Sequence, residues 1–298
     1  MAQGRTPEQH VLDHYARPGP MTAGGRHSTA LSRLPTAPQE LAETIQHLLV
    51  HQHWAQHFRV SLTPERRLQP HLRSVSDMLD AILAMNEEAF SEKRPDEQRL
   101  LTVCRHYSVL AVAILRANGI PARARCGFGM YFLPRKGVDH WIVEFWNGQK
   151  WQRADFQIDA MQRQKLHLDF DPLDQPSGRF LTAGRAWQQC RSGQTSAGKF
   201  GFADESGYFF IAMNIVRDLA ALQGYEMLPW DDWGNMPADE TAMTSERMER
   251  YDALAALTAD PDNHFEELAA AWADPELRVP ETVFNCLLRR QEPILPTR

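Results

Sequence analysis

Residues 104–119 read CRHYSVLAVAILRANG, and residues 139–156 read DHWIVEFWNGQKWQRADF. The first stretch is apolar almost all round, the pattern of a buried helix. Gly119 closes it, and Pro121 just beyond keeps the chain from resuming it. Three strands are predicted next: ARARCGFGMYF near 122–132, DHWIVEFW over 139–146 and KWQRADF over 150–156. Asn147-Gly148 separates the last two, a strong local signal for a hairpin. A helix followed by an antiparallel sheet places the chain in the α+β class.

Three chemistry-bearing residues sit in this unit. Cys104 opens the helix, where the helix N-terminus favours a thiolate. His140 lies on the first strand of the hairpin and Asp155 on the second. A two-residue turn at 147 and 148 pairs positions whose numbers sum to 295. His140 would then face Asp155 directly. Such an Asp fixes the tautomer of a His and stabilises its imidazolium, and the His can draw the proton from the thiol. Each residue also has a plainer reading: a core cysteine, a satisfied sheet histidine and a turn carboxylate. His106 is a rival base, but two positions along a helix it points away from Cys104. Asp139 and Glu144 rival Asp155. The first points to the other face of its strand, and the second is four residues along it.

The chemistry follows from the residue types. A Cys104 thiolate attacks an acyl carbonyl, and the His140 imidazolium protonates the leaving amine. The thioester is then released to water, which is hydrolysis, or to an amine, which is transamidation. The oxyanion needs donors; the backbone N–H of Cys104 is one candidate and a second is not assigned.

Composition frames this reading. The 298 residues are 43% hydrophobic and 23% charged, enough for a large core without staples. The net charge of −6 argues against nucleic acid as the main partner. Four scattered cysteines, Cys104, Cys126, Cys190 and Cys286, form neither a disulfide scaffold nor a C-x-x-C site. The opening residues lack the apolar core of a secretory signal, and no run spans a membrane, so a cytoplasmic location is expected. No cofactor and no metal is expected. His47, His51, His53 and His57 cluster without a Glu arranged as in H-E-x-x-H, so a surface or core role is favoured over metal binding.

Residues 1–36, rich in Gly, Pro, Ser and Thr, read as an extended or flexible arm. Residues 37–235 read as the catalytic domain with N-terminal helices, the first of them spanning the periodic segment APQELAETIQHLLVHQHWAQHF and a second near 72–89. Residues 236–298 read as a C-terminal helical extension packed on the core. Helices are expected near 210–222, 241–257, 262–271 and 280–290. Core packing is the default for Trp141, Trp146 and Trp151. Trp230 and Trp233 read as loop anchors, and Arg105 and Arg123 as salt-bridge partners before substrate clamps.

The central stretch resembles the core of the transglutaminase-like superfamily. Cys104 with Tyr107-Ser108, the phrase Leu115, Arg116, Gly119, Ile120, Pro121, Ala122 and Arg123, then Gly127, His140-Trp141, Glu144, Trp151 and Asp155 match its pattern in order. The spacings of 36 and 15 residues between the three catalytic positions also suit it. Thr102 stands where a small residue often lies, Phe156 where Pro often follows the Asp, and Cys126 is unusual on its strand. The resemblance covers about 100–157. It implies a papain-like fold with the nucleophile helix on an antiparallel sheet, and Cys104, His140 and Asp155 as the catalytic triad. GRHSTALSRLP, FDPLD, NIVRDLAAL and LPWDDWG resemble recurring phrases of bacterial proteins carrying this domain. No calcium-binding cluster is evident.

The implied activity is acyl transfer on a peptide or small amide substrate, with hydrolysis first and an amine acceptor second. Amide-bond formation, a non-catalytic binding protein on the same fold, and a helical interaction protein using 238–290 remain the alternatives.

Overall fold

The computed structural model describes residues 6–295. The fold is α+β, and the described chain forms two compact units that exchange segments along the sequence. The first is built mainly from Leu12–Ala124 and Ile142–Gln175; the second, among the described residues, from Pro7–Val11, Arg125–Trp141 and 176–295.

The first unit carries helices α1 (Gln9–Tyr15, continuing from the second unit), α2 (Ser28–Leu31), α3 (Pro38–Leu48), α4 (Val75–Met85), α5 (Cys104–Ala117) and α6 (Ala160–Lys165). Its strands are β1 (Leu49–His51) and β2 (Leu100–Thr102), which pair in parallel, and β5 (Trp151–Ala154). Strands β3 (Ala122–Leu133) and β4 (Lys136–Trp146) each pass from one unit into the other. Every residue of α5 from Cys104 to Arg116 is buried. Removing Val109, Leu110, Val112, Ile114 and Leu115 from water contributes about 1.5–3 kcal/mol apiece. The helix packs with α2, α3, α4 and β2. Gly119, at φ +71°, turns the chain out of it as the sequence predicts.

Residues expected to form a loose arm are ordered helix instead over Gln9–Tyr15 and Ser28–Leu31, while residues 1–5 lie outside those described. Tyr15, Met21 and Leu31 are buried. Arg116 of α5 fastens the segment: its Nε donates to the Tyr15 carbonyl at 3.0 Å and its guanidinium to Thr22 Oγ1 at 3.1 Å. Turn-forming residues therefore shape a packed strap here, since its backbone groups find partners on the helix. The periodic segment after residue 37 is α-helical only to Leu48, with a short 3-10 helix at Ala55–Phe58. Leu49, Val50 and His51 then leave the helix to pair with Leu100–Thr102.

The second unit adds strands β6 (Phe180–Thr182), β7 (Phe200–Phe202), β8 (Glu205–Ser206), β9 (Asp231–Asp232), β10 (Thr282–Asn285) and β11 (Arg290–Pro293). Its helices are α7 (Ala183–Arg191), α8 (Tyr208–Leu222), α9 (Ser245–Ala259) and α10 (Phe265–Trp272). The larger sheet runs β6-β3-β4-β7-β8. Strands β3 and β6 and strands β7 and β8 are antiparallel, but β4 and β7 are parallel. The expected antiparallel sheet thus includes one parallel pair. The long connection from β4 to β7 permits that direction, which a hairpin forbids. A buried ion pair ties the sheet to α8: Arg125 Nε and Nη2 meet Asp218 Oδ1 and Oδ2 at 3.0 and 2.8 Å, and the Cys126 N–H donates to Asp218 Oδ1.

The helix expected near 280–290 is a β-hairpin, β10 pairing antiparallel with β11 and with β9. Thr282, Val283 and Phe284 favour strand. Asn285 completes the turn, accepting from the Leu288 N–H and donating to Glu292 Oε2.

Candidate active site

The helix that carries Cys104 begins at that residue, with Val103 in extended backbone as its N-cap. Cys104 is a free thiol, buried but for 8% of its surface. Its main-chain N–H belongs to the first turn, whose donors have no partner within the helix. Val103 has no polar side chain to cap that turn. His106 supplies polar partners there instead. Its Nδ1 accepts from the Val103 N–H at 3.3 Å, and its Nε2 donates to the Leu72 carbonyl at 3.0 Å. Those two bonds require the neutral tautomer with the proton on Nε2. Burial, reinforced by Arg105, pushes the imidazole pKa down to about 3. His106 is therefore not a base for the thiol; it fixes where the helix starts.

Tyr107, one turn after Cys104, is also buried, and burial holds its phenol protonated far above the usual range. The Thr102 side chain bonds to it, and the charges of Asp159 and Asp155 act on it. Asp155 thus lies within electrostatic reach of the first turn of α5. The residue follows β5 directly and is 1% exposed. Its own N–H donates to the Pro172 carbonyl at 2.8 Å, and its Oδ1 accepts from the Gln157 N–H at 3.0 Å. The FDPLD phrase is thereby explained as a brace, for Leu173 also accepts from Gln152 of β5. On the other side, Gln46 of α3 donates to the carbonyls of Phe156 and Ile158.

The hairpin exists, but its register differs from the sequence expectation. Val143 pairs with Ala154, Glu144 with Arg153, Phe145 with Gln152 and Trp146 with Trp151, so paired positions sum to 297 rather than 295. The connection has four residues, 147–150. Asn147 Oδ1 accepts from the N–H groups of Gln149 and Lys150, and Gly148 takes φ +93°. Ladder pairing therefore does not set His140 opposite Asp155; the count carries Asp155 past the last pair, toward position 142. The offset is even, so the face expected of each side chain is unchanged.

His140 lies in the second unit and is 2% exposed. Its ring meets Phe132 edge-on at 4.8 Å between centroids and Tyr131 at 6.0 Å. The two rival carboxylates are committed elsewhere. Glu144 accepts from Arg123 Nε at 2.9 Å and from Arg153 Nε at 3.1 Å. Arg123 lies over the Trp151 ring at 4.1 Å and the Tyr15 ring at 4.9 Å, so it braces the packing. Asp139 accepts from Asn214 of α8.

Among the described residues no group of three or more His, Cys, Asp or Glu side chains is placed to hold a metal ion. In the histidine cluster, His51 Nδ1 accepts from the His53 N–H. Burial lowers the pKa of His47 and of His53. No described helix is long and apolar enough to cross a membrane. Trp233 anchors its loop by donating to the Leu277 carbonyl.

The order Cys104, His140, Asp155 on helix, strand and strand end can be compared with known proteins. Residues 84–156 match the transglutaminase-like superfamily core. All three residues fall inside that span, which ends one position after Asp155. The transglutaminase-like match stops short of β6–β11 and α6–α10. A solved structure, a candidate cysteine protease from Cytophaga hutchinsonii, aligns at 15% identity and a TM-score of 0.34. That alignment covers 50% of this chain and 43% of the other, so the chain spans less than half the length of that relative. No curated protein matches significantly.

Sequence reasoning missed the role of His106 and gave none to Asn214 or Arg217. Their signal was present: a charged and an amide residue three positions apart inside the apolar phrase NIVRDLAAL.

Proposed function

We propose that the chain is a cysteine-dependent acyl-transfer enzyme that hydrolyses an amide or peptide bond through a thioester. Cys104 is the nucleophile, His140 the acid–base group and Asp155 the carboxylate that orients it. The observation that carries this reading is the transglutaminase-like match over 84–156, which contains the three residues at the expected order and spacing. The position of Cys104 at the first residue of α5 supports it, since the N–H groups of a first turn have no partner within the helix and can meet a developing oxyanion. Removal of His106 as a base supports it too, because burial keeps that ring neutral and its two nitrogens engaged.

In the first step Cys104 Sγ gives its proton to His140 and bonds to the acyl carbon, the C–N bond breaks, and His140 passes that proton to the leaving amine. In the second, water adds to the thioester as His140 takes its proton, the C–S bond breaks, and the proton returns to Sγ as the acid departs. Transfer to an added amine is the alternative second step.

The test is an electrophilic acyl probe compared between the native chain and Cys104→Ala. Labelling confined to Cys104 and lost in the variant is the expected outcome. Labelling that survives Cys104→Ala refutes the assignment. Products formed with and without an added amine separate hydrolysis from transamidation.

A further inference from the structure

The residue before His140 on its strand is a hydrogen-bonded carboxylate, Asp139. Asp139 projects from β4 on the side away from the His140 ring, as alternation along a strand requires. Its carboxylate accepts from Asn214 Nδ2 at 2.7 Å and from the backbone N–H of His140 itself. The Asn214 amide has a definite orientation, because Arg217 Nη1 donates to its Oδ1 at 3.1 Å. Arg217 Nη2 in turn donates to the Asp231 carbonyl at 3.3 Å. Asp231 is pinned by its own turn, its Oδ2 accepting from the Leu228 N–H. Asn214, Arg217 and Asp231 are all at least 96% buried. The chain of bonds runs from LPWDDWG through NIVRDLAAL to the residue before His140.

We propose that Asn214 and Arg217 are positioning residues for His140, holding the Asp139 carboxylate so that it fixes the His140 backbone and acts electrostatically on its ring. The assignment rests on the reading of His140 as the acid–base group. It accounts for an otherwise costly arrangement. A carboxylate beside α8 receives a neutral amide donor, while the guanidinium that balances it bonds to the amide. The charged groups around Asp139 are Arg217 from α8 and His140 on its own strand; Arg217 also acts on Asp232 of β9. Burial raises the Asp139 pKa, and Arg217, Asn214 and His140 oppose that rise. Losing the Asn214 donor therefore favours the neutral acid, and a neutral neighbour no longer stabilises an imidazolium.

The experiment is an NMR titration of the His140 ring in the full chain and in Asp139→Asn and Asn214→Leu. The His140 midpoint is expected to fall by about one pH unit in Asp139→Asn, and to move the same way in Asn214→Leu. A midpoint unmoved in a folded variant overturns the assignment, as does a His140 ring that does not titrate. Asp139→Asn is isosteric and keeps the test decisive if Asn214→Leu does not fold. The titration needs no turnover. Cys104→Ala and His140→Gln test the catalytic reading separately. If they abolish turnover while the midpoint stays fixed, only the Asp139 assignment falls. If they leave turnover intact, the catalytic reading falls and takes the positioning role with it.

Discussion

At the scale of single residues, the start of α5 depends on a histidine that stays neutral. His106 titrates at about 3 in the folded chain against 6.5 for the free group. Between those values the unfolded chain binds a proton that the folded chain refuses. The resulting stability is fully present above pH 6.5 and is lost as pH falls toward 3. Its slope is about 1.4 kcal/mol per pH unit. His106→Leu strands the Val103 N–H and the Leu72 carbonyl, so a loss of about 1–3 kcal/mol is expected in urea unfolding at neutral pH. The same variant should show a shallower decline toward acid; an unchanged acid slope would assign that titration to another group. The buried Arg125–Asp218 pair is a second residue-scale case. Asp218→Ala leaves a guanidinium buried without its carboxylate, and a loss of about 3–5 kcal/mol is expected by chemical denaturation. A loss below about 1 kcal/mol would place the pair among solvent-screened bridges.

At the scale of elements, α5, β3, β4 and β5 were legible in the sequence, because α5 is mostly apolar, the strands follow at short intervals, and Gly119 and Asn147-Gly148 punctuate them. Register was not legible. Asn147 uses its side chain to accept two N–H groups, and that widens the connection to four residues. The run NCLLRR near 285–290 carries apolar and basic residues at helical spacing, yet pairing with β9 recruits the segment into a sheet. Tertiary partners decided both, and a linear pattern does not contain them. The close contact of α7 with α9 is similarly hidden. A Cβ at Gly184 would stand 2.6 Å from the Ala255 carbonyl oxygen and 2.6 Å from Thr258 Oγ1. Gly184→Ala should cost about 1–3 kcal/mol through forced separation of the two helices. Thermal unfolding checks it, and an unchanged midpoint would show that the helices part freely.

At the scale of the whole molecule, the three residues proposed for catalysis come from separated parts of the chain, and the four cysteines differ in burial. Cys126 and Cys190 are buried, and burial pushes the Cys190 thiol up to about 11. Cys286 is exposed, but burial of its sulfur and the nearby Asp232 raise its pKa. Access alone would therefore make Cys286 the thiol that reacts first. The proposed assignment of His140 as the base for Cys104 reverses that order, because a paired base activates a thiol for attack. The decisive measurement is the alkylation rate of each cysteine near neutral pH, mapped by peptide mass in the native chain and in His140→Gln. Cys104 is expected to react fastest despite its burial, and His140→Gln is expected to remove this lead. Faster reaction of Cys286, or a Cys104 rate indifferent to His140, would contradict it.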